Sequence, residues 1–84
     1  MNSISINEYK SYMGTLIDIR PKYEASINKY KNAVNIPYNE LIFNHQKYLN
    51  KNQRYFIICS KGVQSKKAVN ILSVYGYEVY NVIH

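Results

Sequence analysis

The sequence predicts an α/β domain, a small parallel β-sheet flanked by helices on both faces. Three observations carry this. Short apolar, β-branched runs of strand length alternate along the chain with segments whose apolar residues fall at helical spacing. The strongest run, Tyr55-Phe56-Ile57-Ile58, is apolar at every position, as a central strand covered on both faces would be. The two prolines and three glycines stand mostly between these segments as punctuation. With 84 residues and no linker, repeat or low-complexity run, residues 1–84 are expected to form a single domain around one core.

Taken in order, Ile6 to Met13 reads as a short helix closed by Gly14. Thr15-Leu16-Ile17-Asp18-Ile19 is a strand that stops at Arg20-Pro21. Pro21 opens a helical turn or two over Lys22 to Ile27. Ala33-Val34-Asn35-Ile36 is a second short strand, halted by Pro37, and Tyr38 to Tyr48 carries Leu41, Ile42 and Tyr48 as a loose amphipathic helix. After Tyr55–Ile58 and a loop, Ser65 is placed to cap a helix bearing Ala68, Val69, Leu72 and Tyr75 on one side. Gly76 ends that helix, and Val79-Tyr80-Asn81-Val82 forms the last strand.

Composition narrows the function. Hydrophobic residues make up 46% and charged residues 19%, which is the balance of a folded chain. No run of ~18 apolar residues predicts a membrane span, and the N-terminus lacks the basic-then-apolar order of a secretory signal. The single cysteine, Cys59, excludes an intrachain disulfide and, with two scattered histidines, a Cys/His metal cluster. A lone reduced thiol fits a cytoplasmic chain. A net charge of +6 favours anionic partners. The lysines and ten tyrosines are dispersed rather than gathered into a stripe, so nucleic-acid binding by stacking and phosphate contact ranks last. His45 and His84 read as solvated residues.

The informative segment is Cys59-Ser60-Lys61-Gly62-Val63-Gln64-Ser65-Lys66-Lys67. Cys59 stands where a buried strand ends, the end of an open α/β sheet at which ligands bind. Gly62 permits a tight backbone whose N–H groups can converge on one anion. The helix that follows adds free N–H groups and the positive end of its dipole. Lys61 lies in the loop, with Lys66 and Lys67 expected in the first helical turn. Together these groups favour the thiolate and make Cys59 a candidate nucleophile. A cysteine that only fills space at a strand end is the competing reading, and residue type alone does not separate the two. Phosphatase chemistry is not expected: an arginine would be needed after five intervening residues, and that position is Ser65. Dithiol exchange lacks a second cysteine.

From about Ile4 to His84 the chain resembles the single-domain rhodanese family of sulfurtransferases. Leu16-Ile17-Asp18-Ile19-Arg20, followed by Tyr23-Glu24, is similar to the family's L-I-D-V-R strand and its acidic-aromatic turn. Ala33-Val34-Asn35-Ile36-Pro37 with Glu40-Leu41 is similar to A-x-N-I-P…E-L. Cys59-Ser60-Lys61-Gly62-Val63-Gln64-Ser65 is similar to the C-x-x-G-x-x-S loop, and Ala68 to Gly76 and Val79 to Val82 to the helix and strand that close the domain. The segments occur in the family's order, which makes the set specific where no single piece is.

The resemblance implies a rhodanese-like fold and a thiosulfate or persulfide sulfurtransferase. Cys59 would attack the outer sulfur of a donor, become a persulfide, and pass the sulfur to a thiol or cyanide acceptor. Ser60, Lys61, Gly62, Val63, Gln64 and Ser65 would bind the transferred sulfur and its donor, with Lys61 attracting an anionic donor. Asp18 and Arg20 would orient the site from a neighbouring strand, an ion pair without catalytic part being the competing reading for both. Small anionic sulfur donors and thiol acceptors are the implied partners, with a protein donor or acceptor alongside them. No metal, organic cofactor, nucleic acid or membrane is implied. The departures matter: Asn28 to Ala33 lacks most of the family's G-H-I-P-G-A turn, and Gln64 stands where many relatives carry arginine. Gln64 lowers the expected pull on thiosulfate, which points to a protein or low-molecular-weight persulfide donor, and is compatible with the alternative of a non-catalytic sulfur relay or protein-interaction module. The resemblance runs out at His84, where relatives continue with a Gly-Gly turn and commonly a helix, so a minimal domain with one sheet face less covered is expected.

Overall fold

In the computed structural model, which describes residues 2–84, the chain runs β1 (Ser3–Ser5), a 3-10 turn (Ser11–Met13), β2 (Thr15–Asp18), α1 (Lys22–Ile27), β3 (Val34–Asn35), α2 (Tyr38–Phe43), α3 (His45–Tyr48), β4 (Arg54–Ile58), α4 (Val63–Val74) and β5 (Glu78–Ile83). The strands form one parallel sheet in the order β1-β5-β4-β2-β3. The predicted class is the observed one. No helix among the described residues is long and apolar enough to cross a membrane.

The handedness of the crossovers distributes the layers. From β2 to β3 the chain steps one way along the sheet, while from β3 to β4 and from β4 to β5 it steps the other way. Right-handed connections in opposite directions must lie on opposite faces. Accordingly α2, α3 and α4 pack on one face, where Ile17, Ile57 and Val79 meet Leu41, Leu49, Ala68, Val69 and Leu72. The other face carries Leu16, Phe56, Ile58 and Val82, covered by Ile6, Tyr9, Met13, Tyr30 and Ala33 from the N-terminal crossover and the segment after α1. Alternation along β4 sends Phe56 and Ile58 one way and Tyr55, Ile57 and Cys59 the other.

The structure corrects four local expectations. Ile6 to Met13 is not a helix. Ser5 begins a turn in the manner of a capping box, with its N–H donating to Glu8 Oε1 at 2.9 Å and its carbonyl accepting from the Glu8 and Tyr9 N–H groups. The chain then extends at Lys10 and makes only the 3-10 turn. The cause is distance: β1 lies three strand spacings from β2, about 14 Å, and eight residues of helix rise only about 12 Å. Ser3–Ser5, where no strand was predicted, pairs in parallel with Asn81–Ile83 of β5. Tyr9 anchors the segment, its hydroxyl donating to the Gly14 carbonyl at 2.6 Å and its ring lying 5.1 Å from that of Phe56. Gly14 is required by close approach, because a Cβ there would meet the Arg54 carbonyl oxygen at 2.5 Å.

The second correction is at Asn44, where the predicted Tyr38–Tyr48 helix breaks into α2 and α3. The Asn44 amide donates to the Glu40 carbonyl at 3.2 Å and to Glu40 Oε2 at 2.6 Å, competing with continuation of the helix. Third, Ser65 does not cap the last helix; α4 already begins at Val63, after Gly62 at φ +81°. Fourth, Lys66 closes the first turn, its N–H donating to the Gly62 carbonyl, but Lys67 falls beyond it, and both are exposed.

Candidate active site

The sheet reverses its winding between β4 and β2, and the residues just past the carboxyl ends of these two strands face one another there. At such a switch point the flanking crossovers diverge and leave a crevice. Cys59 follows β4, and Ile19-Arg20 follow β2.

Cys59 is buried, 4% exposed, on the α4 face. Its Sγ accepts the Gly62 N–H at 3.1 Å and the Ser65 N–H at 3.3 Å. The thiol donates to Ser65 Oγ at 3.3 Å, and that hydroxyl donates to the Gly62 carbonyl at 3.3 Å. Once the thiol proton leaves, rotation of the Ser65 hydroxyl supplies a third donor to the sulfur. Gly62 adopts the left-handed conformation, which turns the chain that follows it into α4. The N–H groups of Ser60, Lys61, Val63 and Gln64 make no hydrogen bond among the described residues. They belong to the same loop and to the first turn of α4, where the helix dipole adds to them. Such a loop is a cradle able to hold an anion beside Sγ.

Across the crevice, Arg20 and Asp18 form a buried, forked ion pair: Nη2 donates to Oδ2 at 2.8 Å and Nε to Oδ1 at 3.0 Å, while the Arg20 backbone N–H also donates to Oδ1. Hydrogen bonding to Asp18 raises the guanidinium pKa still further. Arg20 Nη2 also donates to the Asn28 carbonyl at 2.7 Å, and the guanidinium lies 4.3 Å over the Tyr30 ring. Asn35 Nδ2 ties the Asp18 and Arg20 carbonyls to β3. Burial is the main cause of the raised pKa of the Tyr30 hydroxyl.

A cleft of about 260 Å³ opens beside Cys59, with Arg20, Pro21 and Glu24 on one wall and Ser60, Lys61, Val63 and Gln64 on the other. Of the residues expected at the site, these four loop residues and Arg20 line the cleft beside Cys59. Gly62 and Ser65 turn inward to the sulfur, and Asp18 stands behind Arg20. A cavity of about 270 Å³ between α1 and β3 holds no nucleophilic thiol. Among the described residues, no three of His, Cys, Asp and Glu gather to hold a metal ion.

Sequence reasoning missed two neighbours. Glu24, which it placed only in a turn, brings a negative charge to the cleft wall. His84 is exposed, yet its Nε2 lies 2.6 Å from the Cys59 carbonyl oxygen and its ring 5.9 Å from that of Tyr30. The other histidine is also engaged, with His45 Nδ1 2.8 Å from the Tyr77 hydroxyl and its ring 4.4 Å from that of Tyr75. Signals for these contacts are lacking in the chain, because they depend on which strand ends become neighbours.

Comparison with known proteins agrees with the geometry. Residues 5–84 match the family model described as the Rhodanese-like domain. The structure is similar to a Staphylococcus saprophyticus subsp. saprophyticus protein, with 31% identity over 98% of this chain and 86% of that one, and a TM-score of 0.86. It is similar to a rhodanese-like domain protein of Staphylococcus aureus, with 31% identity over 98% and 84% of the two chains and a TM-score of 0.83. It also resembles part of the reduced CoADR-RHD protein of Bacillus anthracis, with 27% identity over 96% of this chain but 15% of that one, and a TM-score of 0.84. No curated protein sequence matches.

Proposed function

The chain belongs to the rhodanese-like domain family, a family of sulfur transfer, and from that premise we propose that it is a sulfurtransferase working through a persulfide on Cys59. The observation that carries the proposal is the cradle around Sγ. Two backbone N–H groups and a hydroxyl already hold the sulfur, and four further N–H groups of the same loop and helix start are without a hydrogen bond among the described residues.

The reaction has two displacements. Cys59 thiolate attacks the outer sulfur of a donor; a new S–S bond forms to Sγ as the donor's own bond to that sulfur breaks. With thiosulfate the electron pair leaves on sulfite, and with a persulfide it leaves on a thiolate. The outer sulfur, carrying the negative charge, takes the free N–H groups of Ser60, Lys61, Val63 and Gln64. A thiol or cyanide acceptor then attacks this sulfur, and Cys59 departs as the thiolate that Gly62 and Ser65 stabilise. Lys61 draws the anionic donor into the cleft. Arg20, its charge already matched by Asp18, positions the wall. We assign one domain to residues 1–84 and a cytoplasmic setting, where the thiol stays reduced.

A second reading, a relay or interaction module that carries sulfur without efficient turnover, is favoured by the cleft wall. Glu24 lines the same cleft as Lys61 and offsets its charge there, and Gln64 supplies only a neutral amide. The deciding experiment is intact mass after brief exposure to thiosulfate, then after a thiol, with Cys59→Ala as control. A gain of one sulfur that the thiol removes, absent from the control, supports the sulfurtransferase. A persulfide that forms but passes slowly to small thiols supports the relay. No gain from thiosulfate or from a persulfide donor overturns both.

A further inference from the structure

We propose that His84 is a positioning residue for the Cys59 loop: its imidazole holds the Cys59 carbonyl so that the next amide faces the transferred sulfur. The inference rests on the persulfide reading above but is tested apart from it. The Cys59 carbonyl lies one residue beyond the last residue of β4, where ladder pairing with β5 has ended. His84 lies one residue beyond β5, and its Nε2 reaches that carbonyl at 2.6 Å. A carbonyl oxygen only accepts, so Nε2 bears the hydrogen, in the neutral tautomer or in the imidazolium.

The geometry gives the contact its consequence. In a trans peptide the C=O and the following N–H point in opposite directions. A Cys59 carbonyl held on the β5 side by His84 therefore turns the Ser60 N–H the other way, toward the β2 side and the crevice that Cys59 lines. The imidazole is itself steadied. It packs against Tyr30, whose ring carries the Arg20 guanidinium at 4.3 Å, and Arg20 is fixed by Asp18. The ends of β2, β4 and β5 are thus joined through side chains on the rim of the site. The Asp18–Arg20 pair acts on the loop through Tyr30 and His84, without touching the reacting sulfur.

Two variants separate the hydrogen bond from the ring. His84→Phe keeps an aromatic ring against Tyr30 and removes the donor; His84→Gln places an amide N–H near the position of Nε2. The first readout is amide hydrogen exchange at Gly62 and Ser65, whose N–H groups bond Sγ, with thermal melting as the check on folding. Expected is exchange about threefold to tenfold faster in His84→Phe and near wild type in His84→Gln. The second is the maximal rate of sulfur uptake from thiosulfate, falling by a similar factor in His84→Phe with little change in the half-saturating concentration, and restored in His84→Gln. Unchanged exchange in His84→Phe, or failure of His84→Gln to restore it, overturns the inference. If wild type takes up no sulfur, it is the sulfurtransferase reading that falls, and the exchange comparison still decides the role of His84.

Discussion

The Ser65 hydroxyl stands 3.3 Å from Cys59 Sγ and 3.3 Å from the Gly62 carbonyl oxygen, bridging the sulfur to the backbone that folds around it. Ser65 is buried at the third position of α4, so the hydroxyl has no water to turn to. It accepts from the thiol and is free to donate to the thiolate, which lets one side chain serve both protonation states without moving the loop.

Replacing Ser65 by Ala removes that donor and leaves the two backbone N–H groups in place. Sulfur uptake by Cys59 is expected to slow about fivefold to tenfold, with stability lowered by about 1 kcal/mol. Intact-mass kinetics and a thermal melt measure the two effects. An uptake rate unchanged from wild type would show the hydroxyl to be idle in the reaction.

Asp18 matters first to the fold. Asp18→Ala leaves the Arg20 guanidinium buried with only the Asn28 carbonyl and the Tyr30 face to hold it. Breaking a buried pair by deleting one partner costs about 3 kcal/mol. In a domain of this size that lowers Tm by roughly 12–24 °C. Calorimetry tests this, and a Tm within a few degrees of wild type would mean that water replaces the carboxylate without penalty.

Gln64 lines the cleft beside Lys61 and Cys59. Gln64→Arg adds a forked cation where only a neutral amide stood, and the half-saturating thiosulfate concentration is expected to drop about tenfold. The dependence of sulfur uptake on thiosulfate concentration reports it directly. No change, or weaker binding, would place the donor's anionic end elsewhere in the cleft.

Alkaline pH should unfold the protein earlier than its composition suggests. The hydroxyls of Tyr9 and Tyr30 have raised pKa values chiefly through burial, and that of Tyr80 through its hydrogen bond to Glu78. A raised folded-state pKa means that the native state holds the proton more tightly than the unfolded chain. The stability this contributes is whole below about pH 10, the ordinary tyrosine value, and is lost as pH climbs through the raised values. Tm should stay level from pH 7 to about 9.5 and then fall. Tyrosinate absorbance should lag for a minority of the ten tyrosines. A Tm flat to pH 11.5 would contradict this.

Much of the fold was legible because local signals and global geometry agree. Tyr55–Ile58 reads as a central strand since both of its faces are apolar, and it is one, with β2 and β5 as neighbours. The helix after the loop agrees in part: Ala68, Val69 and Leu72 are buried as their spacing requires, while Tyr75, grouped with them, stands past the end of α4 and is exposed. Where the two levels conflict, the local signal misleads. Ser5 to Glu8 begins as a helix would, but the chain must cross from the sheet edge to β2, and the helix is abandoned after a turn.

The candidate site divides along the same line. Cys59, Gly62 and Ser65 are seven residues or fewer apart, so their meeting follows from the sequence alone: a strand end, a glycine in left-handed conformation, and a helix start. The amino-acid sequence by itself determined the class of the fold and the loop that holds Cys59, the candidate nucleophile. Only the tertiary structure decided that Arg20 faces that loop, that Glu24 joins Lys61 on the cleft, and that His84 reaches the Cys59 carbonyl from 25 residues away. Those contacts are set by strand order and parallel register, which arise from the whole chain's burial and crossover handedness and leave no local mark on the residues concerned.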